Sequence, residues 1–215
     1  QNNINKGPST MSNKQYEKPT YKDWTISDWV REMDNYKNTG KGVNYAEVEF
    51  QRFFVWTINQ QKALIDTILR QYPLPEIWLW EQYDKDENPY YLVIDGQQRL
   101  TTINKFKNNE FKYSLPNLKI IQGEPLNDVE DRFFNKKNEK SFSPERKRFF
   151  NNEYVIRAVI IRGPRSRAIE MFMRLNMSQS TVNAQELRHA FFEGKFKKFI
   201  YKYVSNTVEK KFKQL

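Results

Sequence analysis

Cysteine is absent from the 215 residues, and histidine occurs once, at His189. Those two facts exclude disulfide scaffolds, thiolate zinc sites, cysteine nucleophiles and any metal centre built on two histidines. Glycine is also scarce. The seven glycines are well separated except Gly40 and Gly42, and none begins the glycine spacing of a P-loop followed by Lys and Ser or Thr, so a bound nucleotide would need another cradle. No apolar run approaches the ~20 residues of a membrane span, and the polar N-terminus lacks the hydrophobic region of a signal peptide. The expectation is a soluble, cytoplasmic chain with no membrane partner. Acidic residues are outnumbered, 26 against 36 Lys and Arg, for a net charge of +10. The excess is concentrated in residues 195–215, where seven lysines face Glu209 alone. Lys197, Lys198, Lys210 and Lys211 are the candidate nucleic-acid contacts there. A Lys-rich surface also serves plain solubility, and the charge leaves both readings open.

A chain of this length suits one domain with its own core. Residues 1–20 are polar and aperiodic and read as a disordered tail; residues 21–193 read as the folded domain; residues 194–215 read as a basic amphipathic helix, docked on the core or leading into a further domain. "SDWVREMDNYK" places Trp29, Met33 and Tyr36 on one helical face, with Ser27 as N-cap and "NTGKG" as the stop. "QQKALIDTILRQYPLP" is a second helix with Leu64, Ile65, Ile68 and Leu69 inward. "EIWLWEQY" and "PYYLVIDG" flank the acidic turn "DKDEN" as a hairpin. After Gly96 the period becomes helical, with Leu100, Ile103 and Phe106 on one face. "NNEFKYS" and "LKII" are candidate strands, and residues 122–148 read as a charged, irregular excursion. "EYVIRAVII" is a strand, "RSRAIEMFMRLN" a helix, "MSQSTVN" a loop, and Asn183 starts another helix. A hairpin mixed with helices, without regular βαβ units, predicts an α/β or α+β domain: a small mixed sheet surrounded by helices.

The chemistry concentrates in "VIDGQQRLTTI", residues 93–103. A strand, a tight turn and a helix start follow within a few residues. The free N–H groups of a helix N-terminus attract phosphate, Gly96 permits close approach, Arg99 in the first turn would fork onto phosphate oxygens, Asp95 would hold Mg²⁺ or orient a water, and Gln97 or Gln98 would position that water. Asp95-Gly96-Gln97-Gln98 also has the spacing of a capping box, in which Asp95 and Gln98 only start a helix. Capping leaves Gln97 and Arg99 without a task. Asn183 and Glu186 repeat the capping spacing, and His189 beside Ala190 and Phe191 reads as a structural or surface histidine.

Three blocks carry a resemblance. "FQRFFVWTINQQKALIDTILRQYPLPEIWL", "VIDGQQRLTTI" and "FMRLNMSQSTVNAQELRHA", in that order over about residues 50–190, resemble the DGQQR domain at the N-terminus of GmrSD-type modification-dependent restriction enzymes and related phage-defence proteins, a relative of the ParB/sulfiredoxin fold. The resemblance implies a compact ParB-like domain that binds and hydrolyses a nucleoside triphosphate with Mg²⁺, often coupled to the sensing of modified DNA. It implies Asp95, Gln97, Gln98 and Arg99 as the hydrolase motif, Gly96 and Arg52 at the nucleotide, and Asn176 near Mg²⁺ and phosphate, with Glu186 and Arg188 as weaker candidates. Many members of the family add an HNH nuclease domain, which needs more histidines than His189, so cutting is expected from a separate or missing domain. Two alternatives accompany the triphosphatase reading: a nucleotide-gated DNA-binding module without turnover, and a DGQQR segment that is itself a nuclease centre.

Overall fold

The computed structural model of the chain describes residues 17–45, 56–116, 124 and 126–177, the side chains of residues 176 and 177 excepted. Its elements follow in the order β1 (Thr20–Thr25), α1 (Ile26–Thr39), β2 (Gly42–Asn44), α2 (Ile58–Leu69), β3 (Ile77–Tyr83), β4 (Pro89–Asp95), α3 (Gln97–Lys107), α4 (Pro144–Arg148), a π-helical turn (Phe149–Glu153), β5 (Val155–Ile161) and α5 (Arg165–Met177). The strands form one mixed sheet in the order β1-β5-β3-β4-β2. The pairs β1/β5 and β3/β4 are antiparallel, and β5/β3 and β4/β2 are parallel. This is the mixed α/β domain expected from the alternation of hairpin and helices.

The hairpin and its turn form where the sequence places them. Asp84 organises the turn through Oδ1, which accepts from the backbone N–H groups of Asp86 and Asn88, both at 2.9 Å. In α2, Leu64, Ile65, Ile68 and Leu69 are all buried, as are Leu100, Ile103 and Phe106 in α3. Several expectations are corrected. The N-cap of α1 is Thr25: its side chain accepts from the Asp28 N–H, and the Asp28 carboxylate reaches back to the Thr25 N–H. Ser27 lies inside the helix and donates to Asn152 Oδ1. The stretch ahead of that helix is itself a strand: β1 pairs along β5 from Thr20↔Ile160 to Thr25↔Val155. As a largely exposed edge strand, it shows no apolar alternation to read. "NNEFKYS" forms a turn ending in a single bridge, Tyr113↔Arg132. Of "MSQSTVN", Met177 ends α5; the rest of it, "LKII" and the helix from Asn183 lie outside the described residues.

The first face of the sheet carries α1, α2 and α3 over a core that includes Trp29, Ile65, Ile77, Leu79, Val93, Ile103 and Ile156. The chain beyond α3 closes this core with aromatic rings. Phe111, Phe134, Phe142 and Phe150 surround Phe106 at centroid distances of 5.3–5.9 Å. The charged excursion thus lacks a regular strand or helix from residue 126 to 143, ends in the short helix α4, and is anchored by phenylalanines. The second face carries α5, whose Ile169, Phe172 and Met173 cover Trp80, Ile94 and Ile161.

Two buried polar networks tie these layers together. In α2, Asp66 accepts from the Tyr113 hydroxyl at 2.6 Å and from Arg70 Nε at 2.9 Å, and Arg70 Nη2 donates to the Glu124 carbonyl. On β3, Glu81 accepts a fork from Arg162 at 2.8 and 2.9 Å and a third bond from the Tyr83 hydroxyl at 2.6 Å. Burial alone would raise the Glu81 carboxyl, but the bonds from Arg162 and Tyr83 outweigh it and hold the group below its ordinary value. The pair therefore stabilises the fold fully above the ordinary glutamate value of 4.5, and this contribution is lost as pH falls through the lower folded value. Glu81→Gln is expected to cost about 2 kcal/mol at neutral pH. Acid titration of unfolding would then fall less steeply in the variant than in the parent; identical acid limbs would remove Glu81 from the account.

Candidate functional site

The motif stands where β4 ends and α3 begins. The ladder between β3 and β4 slips just before it: Leu79 pairs with Val93 and Trp78 with Asp95, so Ile94 is an extra residue in a bulge. Ile94 turns to the second face, under α5. Gly96 then takes φ 107° and ψ 3° and serves as the N-cap of α3, with no side chain capping the helix. Asp95 is thus the last residue of the strand, and the capping box allowed by its spacing does not form. With neither cap nor box, the first-turn N–H groups of α3 remain without an intrahelical partner, as at any helix start. The positive φ requires glycine, and so does packing: a Cβ at Gly96 would lie 2.8 Å from Ile77 Cγ1 and 3.3 Å from Arg99 Nη2. The missing side chain of Gly96 makes room for Ile77 of β3 and for Arg99 inside the protein.

Arg99 is buried. One side of its guanidinium, Nη2, donates to Asp95 Oδ2 at 2.6 Å, and Nη1 donates to the carbonyl of Pro75 ahead of β3. Burial pushes the guanidinium below its ordinary value, and the Asp95 carboxylate offsets part of that effect; an arginine stays charged throughout. Arg99, expected to fork onto phosphate oxygens, here folds back and clamps the start of one strand to the end of the next. The Asp95 side chain is 41% exposed. Its Oδ1 accepts no hydrogen bond among the described residues.

The two glutamines reach across the domain. Gln97 Nε2 donates to the Tyr45 carbonyl at 2.8 Å, and Gln98 Oε1 accepts from the Trp56 N–H at 3.4 Å. Asn104, two turns along α3, donates to the Tyr45 hydroxyl at 2.9 Å, and burial pushes that phenol up. Residues 45 and 56 are the two ends of the segment 46–55, which contains Arg52 and lies outside the described residues. The motif is thus a clasp: Gln97 and Gln98 hold both ends of that segment, Arg99 holds the entry to β3, and Asp95 is left presented at the helix start.

Of the other candidates, Asn176 lies in the last turn of α5, on the second face, with its side chain outside the described residues. Glu186, Arg188, His189, Lys197, Lys198, Lys210 and Lys211 also fall outside them. Reading the sequence missed Tyr45 and Asn104. Trp56 and Pro75 were visible only as parts of the first block. Among the described residues, no group of three or more His, Cys, Asp or Glu side chains is arranged to hold a metal, so Asp95 belongs to no such cluster there. Among them, too, no helix is long and apolar enough to cross a membrane.

No curated protein and no solved structure matches the chain. A family model described as the GmrSD restriction endonuclease, N-terminal domain, matches residues 27–193 and so includes all of α1 but Ile26, every later element to α5, and the clasp. With most of its length inside that match, the chain belongs to the N-terminal domain family of GmrSD restriction endonucleases.

Proposed function

We propose that this domain binds a nucleoside triphosphate at the junction of β4 and α3 and hydrolyses it with Mg²⁺, as the regulatory part of a DNA-targeting anti-phage restriction system. The observation that carries the reading is Asp95: Arg99 locks one carboxylate oxygen, and the other accepts nothing among the described residues, at a helix N-terminus whose N–H groups favour phosphate. A carboxylate outside any larger cluster fits Mg²⁺ better than most ions, since Mg²⁺ is commonly held by one or two carboxylates with phosphate and water completing its shell. Asp95 would ligate through Oδ1, and bound Mg²⁺ would supply charge neutralisation at the phosphates. Gln97, fixed through its amide nitrogen to Tyr45, would turn its Oε1 to a water. Arg52 and Asn176 are proposed at the same nucleotide.

One observation favours the second reading, a nucleotide-gated DNA-binding module without turnover. Arg99 is already committed to Asp95 and Pro75, so the motif supplies no loose cation to stabilise charge developing during transfer. Calorimetric titration with the four ribonucleoside triphosphates, with and without Mg²⁺, followed by phosphate-release assays, separates the readings. Mg²⁺-dependent heat with phosphate release supports the triphosphatase; heat without release supports the gated module; silence with all four sinks both. Asp95→Asn keeps an acceptor for Arg99 and removes the metal ligand, and should weaken Mg²⁺-dependent binding about tenfold or more. We further expect no nicking of supercoiled plasmid by this chain. Nicking that vanishes in Asp95→Asn would make the segment a nuclease centre.

A further inference from the structure

The stretch from Arg132 to Arg148 carries seven arginines and lysines against two acids, Glu139 and Glu145. It is built as a platform. Phe133, Phe134 and Phe142 are buried beneath it. Its turn is closed by the Phe133 N–H on the Lys140 carbonyl at 2.8 Å, the Lys136 N–H on Ser141 Oγ at 2.9 Å and the Asn135 N–H on Asn109 Oδ1 at 2.7 Å. Five ammonium groups gather on this frame. Lys136 and Lys112 lie 4.2 and 5.5 Å from the centroid of the Phe133 ring. Lys147 donates to Asn135 Oδ1, a neutral group, at 2.7 Å. Lys137 and Lys140 are exposed in the same turn. None of the five makes an ion pair among the described residues, whereas Arg146 and Arg148 nearby are taken up by Asp128 and Glu153.

Held in an ordered turn without carboxylate partners, like charges repel one another and raise the local concentration of any polyanion. We propose that this face binds the phosphate backbone of duplex DNA. The choice of DNA rests on the restriction-enzyme reading; the choice of a duplex backbone rests on the surface itself. Among the described residues it exposes no aromatic ring on which unpaired bases would stack, since Phe133 is buried under its lysines. The exposed amide of Asn138 adds a neutral donor of the kind that contacts phosphate without reading sequence. The surface is separate from the clasp at Asp95, and nothing in it requires nucleotide.

The test is fluorescence anisotropy of the full 215-residue chain on a short labelled duplex and on its single strand, over a salt series. The doubly reversed variant Lys137→Glu/Lys140→Glu removes two groups that make no side-chain hydrogen bond, and its melting temperature should match the parent's. Duplex affinity should fall at least ~tenfold, and the slope of log affinity against log salt should drop by about 2. Lys37→Glu/Lys85→Glu changes net charge equally at exposed positions in α1 and the β3–β4 turn and should leave affinity within about twofold, because the proposed contact depends on the platform and not on net charge alone. Equal losses in both variants, no loss in the first, or single-strand binding as tight as duplex binding would each overturn the proposal. The nucleotide titration is read separately, so failure here leaves that reading standing, and failure there leaves this one standing.

Discussion

Gly96→Ala is expected to lower the unfolding free energy by roughly 3–4 kcal/mol, whereas Gly40→Ala costs about 1 kcal/mol. Both glycines have positive φ, at 107° and 77°. At Gly40, the C-cap of α1, an added Cβ meets nothing within 4 Å, so only the backbone preference is lost. At Gly96 the φ lies well beyond the usual left-handed region, and the added carbon would press on Ile77 and on the guanidinium of Arg99. Strain and overpacking therefore add at one position and not at the other. Urea unfolding of the two variants measures the difference directly. A gap below about 1 kcal/mol would show that Ile77 can yield, and that the junction is less tightly specified than its geometry implies. Because any yielding would also shift Arg99, the same variant should lose nucleotide binding if the proposed site is correct.

The second large effect is an asymmetry in one ion pair. Asp95→Ala should destabilise the chain by about 3–4 kcal/mol and Arg99→Ala by only about 2 kcal/mol. The Arg99 side chain is 10% exposed and that of Asp95 41% exposed. Removing the aspartate strands a buried cation whose only other acceptor among the described residues is the Pro75 carbonyl. Removing the arginine leaves a carboxylate that water already reaches, so the loss is limited to hydrogen bonds and packing. Arg99→Met, which refills the space with an apolar side chain, should rescue part of the Asp95→Ala loss in the double variant. A double-mutant cycle by thermal unfolding gives the coupling; Arg99→Ala matching or exceeding Asp95→Ala would reverse the argument. Stability must therefore be measured beside activity for either alanine variant, since a weaker fold and a lost ligand would look alike in a single-point assay. The conservative Asp95→Asn separates the two.

What could be read directly from the chain was local in origin. The stripes Leu64-Ile65-Ile68-Leu69 and Leu100-Ile103-Phe106 follow the helical period, and the acidic turn between two β-rich runs announces a hairpin, because a few consecutive residues suffice to express those preferences. Family membership was legible for a related reason: five consecutive residues at a strand-to-helix junction, with two flanking blocks in order, form a pattern rarely met by accident. Signals were missed where context carried them. Thr20–Thr25 is an edge strand whose exposed side chains do not alternate, and it is a strand only because β5 lies beside it. Gly42–Asn44 is three residues long and pairs in parallel with β4, too short for any periodicity.

The hydrogen-bond partners of the motif residues were decided only in three dimensions. On spacing, Asp95 and Gln98 could have been a cap and Arg99 a free phosphate ligand. The folded chain instead sends Gln97 to a carbonyl 52 residues away, Gln98 to an N–H 42 residues away and Arg99 to a carbonyl 24 residues away. Each of those partners is a backbone group, present at every position of the chain and therefore carrying no sequence signature. Only the sheet, by bringing the ends of β2 and β4 and the start of β3 to one side, chooses which carbonyl and which N–H the motif meets. Burial completes the decision: a guanidinium enclosed by Ile77 and Gly96 must find acceptors within reach, and Asp95 and Pro75 are the ones the fold supplies.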